Sequence, residues 1–340
     1  MTAVGTTAAI LGCIGPQLLP DEHAFFRDAD PFGFIVFARN VETPDQLYRL
    51  TSDLRASVGR DAPVLIDQEG GRVQRLRAPH WREWSPPLDA IAAAPDLPTA
   101  CRIMALRATL IAQELRASGI DANCAPVADI ATGATHPFLR NRCYGTDAGA
   151  VTAIARAVAD AYLAAGVLPV VKHMPGHGRA AGDTHLDLPT ITTDAATLRA
   201  TDFAPFRALN DLPMAMTAHI VFDAYDRDTP ATQSRAMINL IRNEIGFQGL
   251  LMTDDLNMQA LSGSLSDRTA RSMAAGCDLA LHCNGVLAEM QSVAAAAGPM
   301  RAVTSVRAAA ALALRQPPAP ADTAALLAEL RALSQGPLDA

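Results

Sequence analysis

The chain has 340 residues, half of them hydrophobic and only 19% charged, with a formal net charge of −7. That is too apolar and too weakly charged for a disordered protein. No block of Lys and Arg occurs anywhere, which sets aside a nucleic acid or an anionic membrane as partner. The length fits one (β/α)₈ barrel with insertions, and with aromatics at 5% the core must be mostly Ala, Leu, Ile and Val.

In chain order, the N-terminal stretch MTAVGTTAAILGCIGPQLLP lacks a positive n-region, so Ala8 to Ile14 reads as a first buried strand rather than a signal peptide. No apolar run is long enough to span a bilayer. Further short apolar runs follow at Gly33–Phe37, Pro63–Ile66, Ala122–Val127, Leu168–Val171, Met214–Thr217, Leu250–Thr253 and Leu279–Leu281. Helical stretches with readable ends lie between them. Thr99–Ser118 closes at Gly119, Asp147–Ala165 starts at an Asp cap and closes at Gly166, and Ser234–Ile245 starts at a Ser cap and closes at Gly246. In the second of these, Val151, Ile154, Val158 and Tyr162 recur at helical spacing and should face the sheet. After Asn284 the chain turns Ala-rich, with a Pro-broken link at Pro317–Pro320 between two expected helices that would close the barrel as an appendage over residues 285–340.

Eight strands alternating with helices imply parallel βαβ units. Nearly every apolar run ends at or near a polar residue able to do chemistry: Asn40, Asp67, Asp129, Lys172 with His173, His219, Asp254 and His282. A TIM barrel gathers strand C-termini around one active site, whereas a doubly wound open sheet would concentrate such residues at one switch point. The expected architecture is therefore α/β: a single (β/α)₈ TIM-barrel domain over residues 1–340, with room for irregular first strands, plus C-terminal helices.

Three segments carry the chemistry. The first, KHMPGHG at 172–178 with GDTHLD at 182–187, crowds His, Asp and Lys into what reads as a loop after a strand. Its Pro and Gly forbid the helical i, i+4 pair of a zinc protease. Asp183 and His185 are two apart, so in extended backbone the carboxylate can meet the imidazole and favour its protonated form. A solvated polar loop is the plain alternative. The second segment, GLLMTDDLNM at 249–258, ends an apolar strand in two carboxylates. Asp254 continues the strand alternation, would point into the barrel mouth and is the natural nucleophile. In the third, DQEGGRVQR at 67–75, Asp67 can accept sugar hydroxyls with Arg75 reinforcing it, while Glu69 and Arg72 are expected to pair with each other and hold the turn. Arg140 and Arg142 in LRNRCY are ambiguous by themselves.

Together, DQEGGRVQR, KHMPGHG with DTH (183–185), MTAH (216–219) and TDDLNM (253–258) resemble glycoside hydrolase family 3, in particular its bacterial β-N-acetylhexosaminidases of peptidoglycan recycling. The resemblance covers most of residues 8–284. Met174 stands where the family usually has Phe, and Cys143-Tyr144 where Ser-Phe is common. The resemblance implies a retaining β-N-acetylglucosaminidase. Asp254 would form the glycosyl-enzyme intermediate, and His185 would be the acid/base with Asp183 as its partner. Asp67, Arg75, Arg142, Lys172 and His173 would hold the terminal N-acetylglucosamine. The substrate implied is a muropeptide, N-acetylglucosamine linked to 1,6-anhydro-N-acetylmuramic acid with or without peptide. No cofactor and no metal are expected, and a monomer is favoured. Six cysteines without CxxC spacing read as reduced core thiols and point to the cytoplasm. The competing readings are a related β-glucosidase or β-xylosidase, and a metal-dependent TIM-barrel hydrolase. The latter is opposed by the missing HxH after the first strand and by the lysine beside His173.

Overall fold

The computed structural model describes residues 4–180, 188–317 and 321–334. Ten strands form: β1 (Thr7–Gly12), β2 (Pro31–Val36), β3 (Val64–Ile66), β4 (Ala122–Asn123), β5 (Leu168–Met174), β6 (Thr190–Ile191), β7 (Met214–Thr217), β8 (Val221–Phe222), β9 (Leu250–Asp255) and β10 (Leu279–His282). Eight of them close a barrel in the order β1-β10-β9-β7-β5-β4-β3-β2, and β6 pairs with β8 in a separate two-stranded sheet. Every neighbouring pair in the barrel is parallel, including β1 with β2 and β1 with β10. The fold is thus a (β/α)₈ TIM barrel with C-terminal helices.

All eight apolar runs become barrel strands, all but Met214–Thr217 with altered ends. The run from Ala122 shortens to two residues because Pro126 has no N–H to give the ladder, which resumes only as a bridge between Val127 and Lys172. The run from Leu168 lengthens instead, carrying Lys172 and His173 onto β5 rather than into a following loop. Pairing there continues to Met174 with Thr217, after a register shift.

Helix starts follow their caps. Asp96 accepts the N–H of Thr99 ahead of the helix Leu97–Ala117, Asp147 that of Ala150 ahead of Ala148–Ala164, and Ser234 that of Met237 ahead of Arg235–Leu240. The last continues as a π-helical turn, Ile241–Ile245, and stops at Gly246 with φ +83°. Val151, Ile154, Val158 and Tyr162 are all buried against the barrel, and the Tyr162 hydroxyl accepts the Nδ2–H of Asn123 on β4.

The barrel interior is filled by Ile10, Phe32, Leu65, Cys124, Val170, Met216, Met252 and Leu281, and the same cluster includes Ala308, Ala311 and Leu312 of the helix Ala302–Ala313. Each fully buried large side chain contributes roughly 1.5–3 kcal/mol. That helix closes the N-terminal face. Asp278, just before β10, takes hydrogen bonds from Thr304 and Arg307 of the helix as well as from Arg242. Asp121, just before β4, is held by Arg315 at 2.6 Å and by Arg55 at 3.1 Å. Three helices, not two, follow residue 284 among the described residues. Leu287–Ala297 packs on β1 and β10, Ala302–Ala313 lies beneath the barrel, and Thr323–Ser334 packs on Leu97–Ala117. No helix among the described residues is long and apolar enough to cross a membrane.

Candidate active site

The opposite, C-terminal face opens into a cavity lined by Phe37, Asp67, Val73, Arg75, His136, Phe138, Leu139, Arg142, Lys172, His173, His177, Met216, Asp254, Asp255, Met258, Leu281 and Cys283. Asp67, Arg75, Arg142, Lys172, His173 and Asp254 are therefore brought together, from four barrel strands and the turns that follow them. Asp183 and His185 lie outside the described residues.

One wall is a chain of alternating charges. Asp67 accepts from Lys172 Nζ at 2.9 Å and from Arg75 Nη2 at 3.2 Å. Lys172 also reaches Glu69 at 2.6 Å, and Arg142 grips the two Glu69 oxygens with Nε and Nη2, each at 2.9 Å. Burial alone would raise both carboxyls, but the Lys172 and Arg75 charges at Asp67, and those of Arg142 and Lys172 at Glu69, outweigh it and hold both below their ordinary values. The same carboxylates push Lys172 and Arg142 upward against their own desolvation. All four groups are thus ionised across the neutral range.

Glu69 does not pair with Arg72. It is fully buried and belongs to the cluster, whereas the Arg72 guanidinium lies over the Phe138 ring, 3.5 Å from its centroid. The turn explains the split. Gly70 (φ +97°) and Gly71 (φ +59°) take left-handed conformations that send neighbouring side chains to opposite sides. A Cβ on Gly70 would also collide with the Arg107 guanidinium, whose Nη2 donates to the Glu69 carbonyl.

The other wall is built from β5 and β9. Asp129 accepts the His173 and His177 backbone N–H groups on Oδ1, at 3.2 and 2.7 Å, and faces His173 Nδ1 with Oδ2 at 2.6 Å. A proton is therefore fixed on Nδ1 of His173, and Nε2 remains for the cavity. The His177 ring stands 5.3 Å from that of His173, and burial together with its neighbour's charge depresses it to about 4. At the end of β9, Asp254 accepts the Asp255 N–H at 2.8 Å. Burial opposes its ionisation, yet His173 and His219 hold it below the ordinary aspartate value, so it faces the cavity as a carboxylate. His219 is itself anchored, with Thr232 Oγ1 2.8 Å from Nδ1 and the Asp255 carbonyl 3.0 Å from Nε2.

Of the polar residues expected to ring the mouth, four do not line it. Asn40 is buried, donates to the Cys13 and Gly15 carbonyls and accepts the Phe37 N–H. Asp129 and His219 act from behind the wall. His282 is wholly buried with Glu289 3.5 Å from Nε2. Among the described residues no group of three or more His, Cys, Asp or Glu is arranged to hold a metal ion. The six cysteines are all free.

Residues 22–311 match the N-terminal domain of glycosyl hydrolase family 3. A β-hexosaminidase of Methylococcus capsulatus is 37% identical over 276 residues, which make up 80% of this chain and 81% of that one. Among solved structures, a family 3 β-N-acetylglucosaminidase from Paenibacillus sp. superposes with a TM-score of 0.85 at 27% identity, over 96% of this chain and 67% of that one. NagZ from Neisseria gonorrhoeae, in complex with N-trifluoroacetyl-D-glucosamine, gives 0.84 at 27% identity, over 98% and 100%.

Proposed function

The chain belongs to glycosyl hydrolase family 3, and on that premise we propose that it is a retaining β-N-acetylglucosaminidase acting on muropeptides in cell-wall recycling. The observation that carries the reading is Asp254: an ionised carboxylate at a barrel strand end, opening onto the cavity whose far wall is the Asp67–Lys172–Glu69–Arg142 chain. That wall has the donors and acceptors to fix the hydroxyls of one terminal sugar, with Asp67 accepting and Arg75, Arg142, Lys172 and His173 at its side. The sugar bound by the Neisseria relative is of the N-acylglucosamine class.

In the first step an Asp254 oxygen bonds to the anomeric carbon as the glycosidic bond breaks, and protonated His185 gives its proton to the departing oxygen. In the second, water attacks that carbon, its proton passes to neutral His185, and the Asp254 carboxylate is released. Asp183 orients His185 and favours its protonated form. An imidazole serves here without the deep burial that a Glu acid would need. We assign the whole chain to one domain, with residues 285–340 as its helical appendage, and the cytoplasm as its compartment. Six free thiols support the latter.

Hydrolysis of p-nitrophenyl N-acetyl-β-D-glucosaminide beside the matching β-glucoside, by wild type and Asp254→Asn, tests the reading. Turnover of the N-acetyl substrate alone, lost in the variant, is the expected result; preference for the glucoside overturns the recycling role. The β anomer as first-formed product, followed by NMR, tests retention.

A further inference from the structure

We propose that Arg72, laid flat on Phe138, forms a leaving-group subsite that selects aglycones carrying a carboxylate. The inference rests on the hydrolase reading above and assigns a residue that reading does not use.

The other cations around the cavity are already engaged. Lys172, Arg75 and Arg142 serve Asp67 and Glu69. Arg39, whose guanidinium lies over the Phe37 ring 5.2 Å from its centroid, donates to the Cys13 and Cys283 carbonyls. Arg72 differs from all of them. Its guanidinium meets neither a carboxylate nor a carbonyl among the described residues, and its contact is the face of Phe138. An exposed arginine normally wanders through many rotamers. Here the ring faces the planar group at stacking distance, so its orientation is set before any ligand arrives. The backbone beneath it is fixed as well: the Gly71 N–H donates to the Trp84 carbonyl at 2.7 Å, and Arg77 Nη2 donates to the Gly71 carbonyl.

The place of this pair relative to the chemistry follows from the chain. Phe138, itself half-buried, lines the cavity together with Asp254, Asp67, Arg75, Arg142 and Lys172. A substituent on the anomeric oxygen must leave toward the open rim. The segment bearing Phe138 is tied to the stretch that runs into residues 181–187: the His136 N–H donates to the Ala180 carbonyl at 3.0 Å, and the Thr135 hydroxyl donates to that of Gly178. The leaving group and the side chain that protonates its oxygen have to share one side of the sugar. Phe138 stands on the element joined to that chain, and Phe37 does not. An aglycone seated against Phe138 therefore meets Arg72 at its edge, and the group selected there by a guanidinium that pairs with no carboxylate among the described residues is a carboxylate.

The test compares two chromogenic N-acetyl-β-D-glucosaminides, one with a 4-nitrophenyl and one with a 3-carboxy-4-nitrophenyl aglycone. The quantity read is the ratio of their kcat/KM values, charged over neutral. Arg72→Ala is expected to lower that ratio about fivefold, the size of a partly exposed ion pair. Phe138→Leu lowers it too, by releasing the guanidinium, and added NaCl lowers it in wild type but not in Arg72→Ala. A ratio unchanged in Arg72→Ala, whether the variant is fully active or equally impaired on both substrates, overturns the subsite while leaving the hydrolase intact. Wild type that cleaves neither glycoside overturns the hydrolase reading, and the subsite with it.

Discussion

Lys172 Nζ and Glu69 Oε1 are 2.6 Å apart, and neither side chain has more than 2% of its surface exposed. The pair joins β5 to the turn after β3, and its charges are shared onward with Asp67 and Arg142. Removing one member of a buried ionic cluster leaves the rest uncompensated. Glu69→Gln is therefore expected to lower the free energy of unfolding by about 3–5 kcal/mol, read by denaturant titration. A loss under 1 kcal/mol would mean that Asp67 alone neutralises Lys172 and Arg142.

The same cluster sets an acid limit. Asp67 and Glu69 are depressed below their ordinary values of 3.8 and 4.5, so their contribution is complete above those values and is lost as the pH falls through and below them. Tm of the wild type should fall more steeply below about pH 4.5 than Tm of Glu69→Gln, which lacks one of the two groups. Parallel curves would place the acid-sensitive groups elsewhere.

Asp255 has the opposite sign. Burial pushes its carboxyl up to about 6 although the Asn257 and Cys283 N–H groups both donate to Oδ1. Its neutral form suits the fold, so wild type loses stability as the pH rises from 3.8 through 6. Asp255→Asn, which cannot ionise, should have a Tm more favourable relative to wild type at pH 7.5 than at pH 4.5. An equal difference at both values would remove Asp255 from the titration.

Asp129→Asn keeps an oxygen for the two backbone N–H groups but turns an amide NH₂ toward His173 Nδ1. The imidazole then loses the carboxylate that anchors its Nδ1–H and with it the orientation of its Nε2 edge toward the cavity. A loss of about 10–10³-fold in kcat/KM for the N-acetyl substrate is expected, with Tm nearly preserved. Retained activity would show that the anchoring of His173 by Asp129 is immaterial.

Beneath the barrel the expectation reverses. Arg315→Ala leaves Asp121 with Arg55 as its remaining short ion pair and should cost about 1–3 kcal/mol of stability. Folded protein should keep its kcat/KM, because the floor carries packing and the roof carries chemistry. A drop in kcat at unchanged stability would contradict that division.

The barrel was legible because the strands are short apolar runs that alternate with helical stretches closed by caps and glycines, and because reactive side chains recur at the run ends. The gathering of Asp67, Arg75, Arg142, Lys172, His173 and Asp254 was legible through motifs. Pairing was not. Glu69 and Arg72 are three residues apart and of opposite charge, which invites a local ion pair. Their separation depends on two left-handed glycines and on Arg142, distant in sequence. Asp129 and His219 were visible as strand-end polar groups, but whether such a group enters the cavity or braces its wall depends on partners from other strands. The proline in Ala122–Val127 was the available sign that this run would break, and the third C-terminal helix was hidden by an Ala-rich composition that marks helix without marking its ends.

The register that closes the barrel ties Leu11 on β1 to His282 on β10. During synthesis on the ribosome the first strand emerges early, pairs with β2, and then keeps one edge unmet while most of the polypeptide is still unmade. Only when the chain beyond residue 282 appears can that seam be sewn, and the helix Ala302–Ala313 that stoppers the floor comes later still. A nascent chain halted before that point presents an open β-edge and an uncovered apolar lining, the two features that invite aggregation. The cell is thus exposed to a half-made barrel for nearly the whole time it takes to make one.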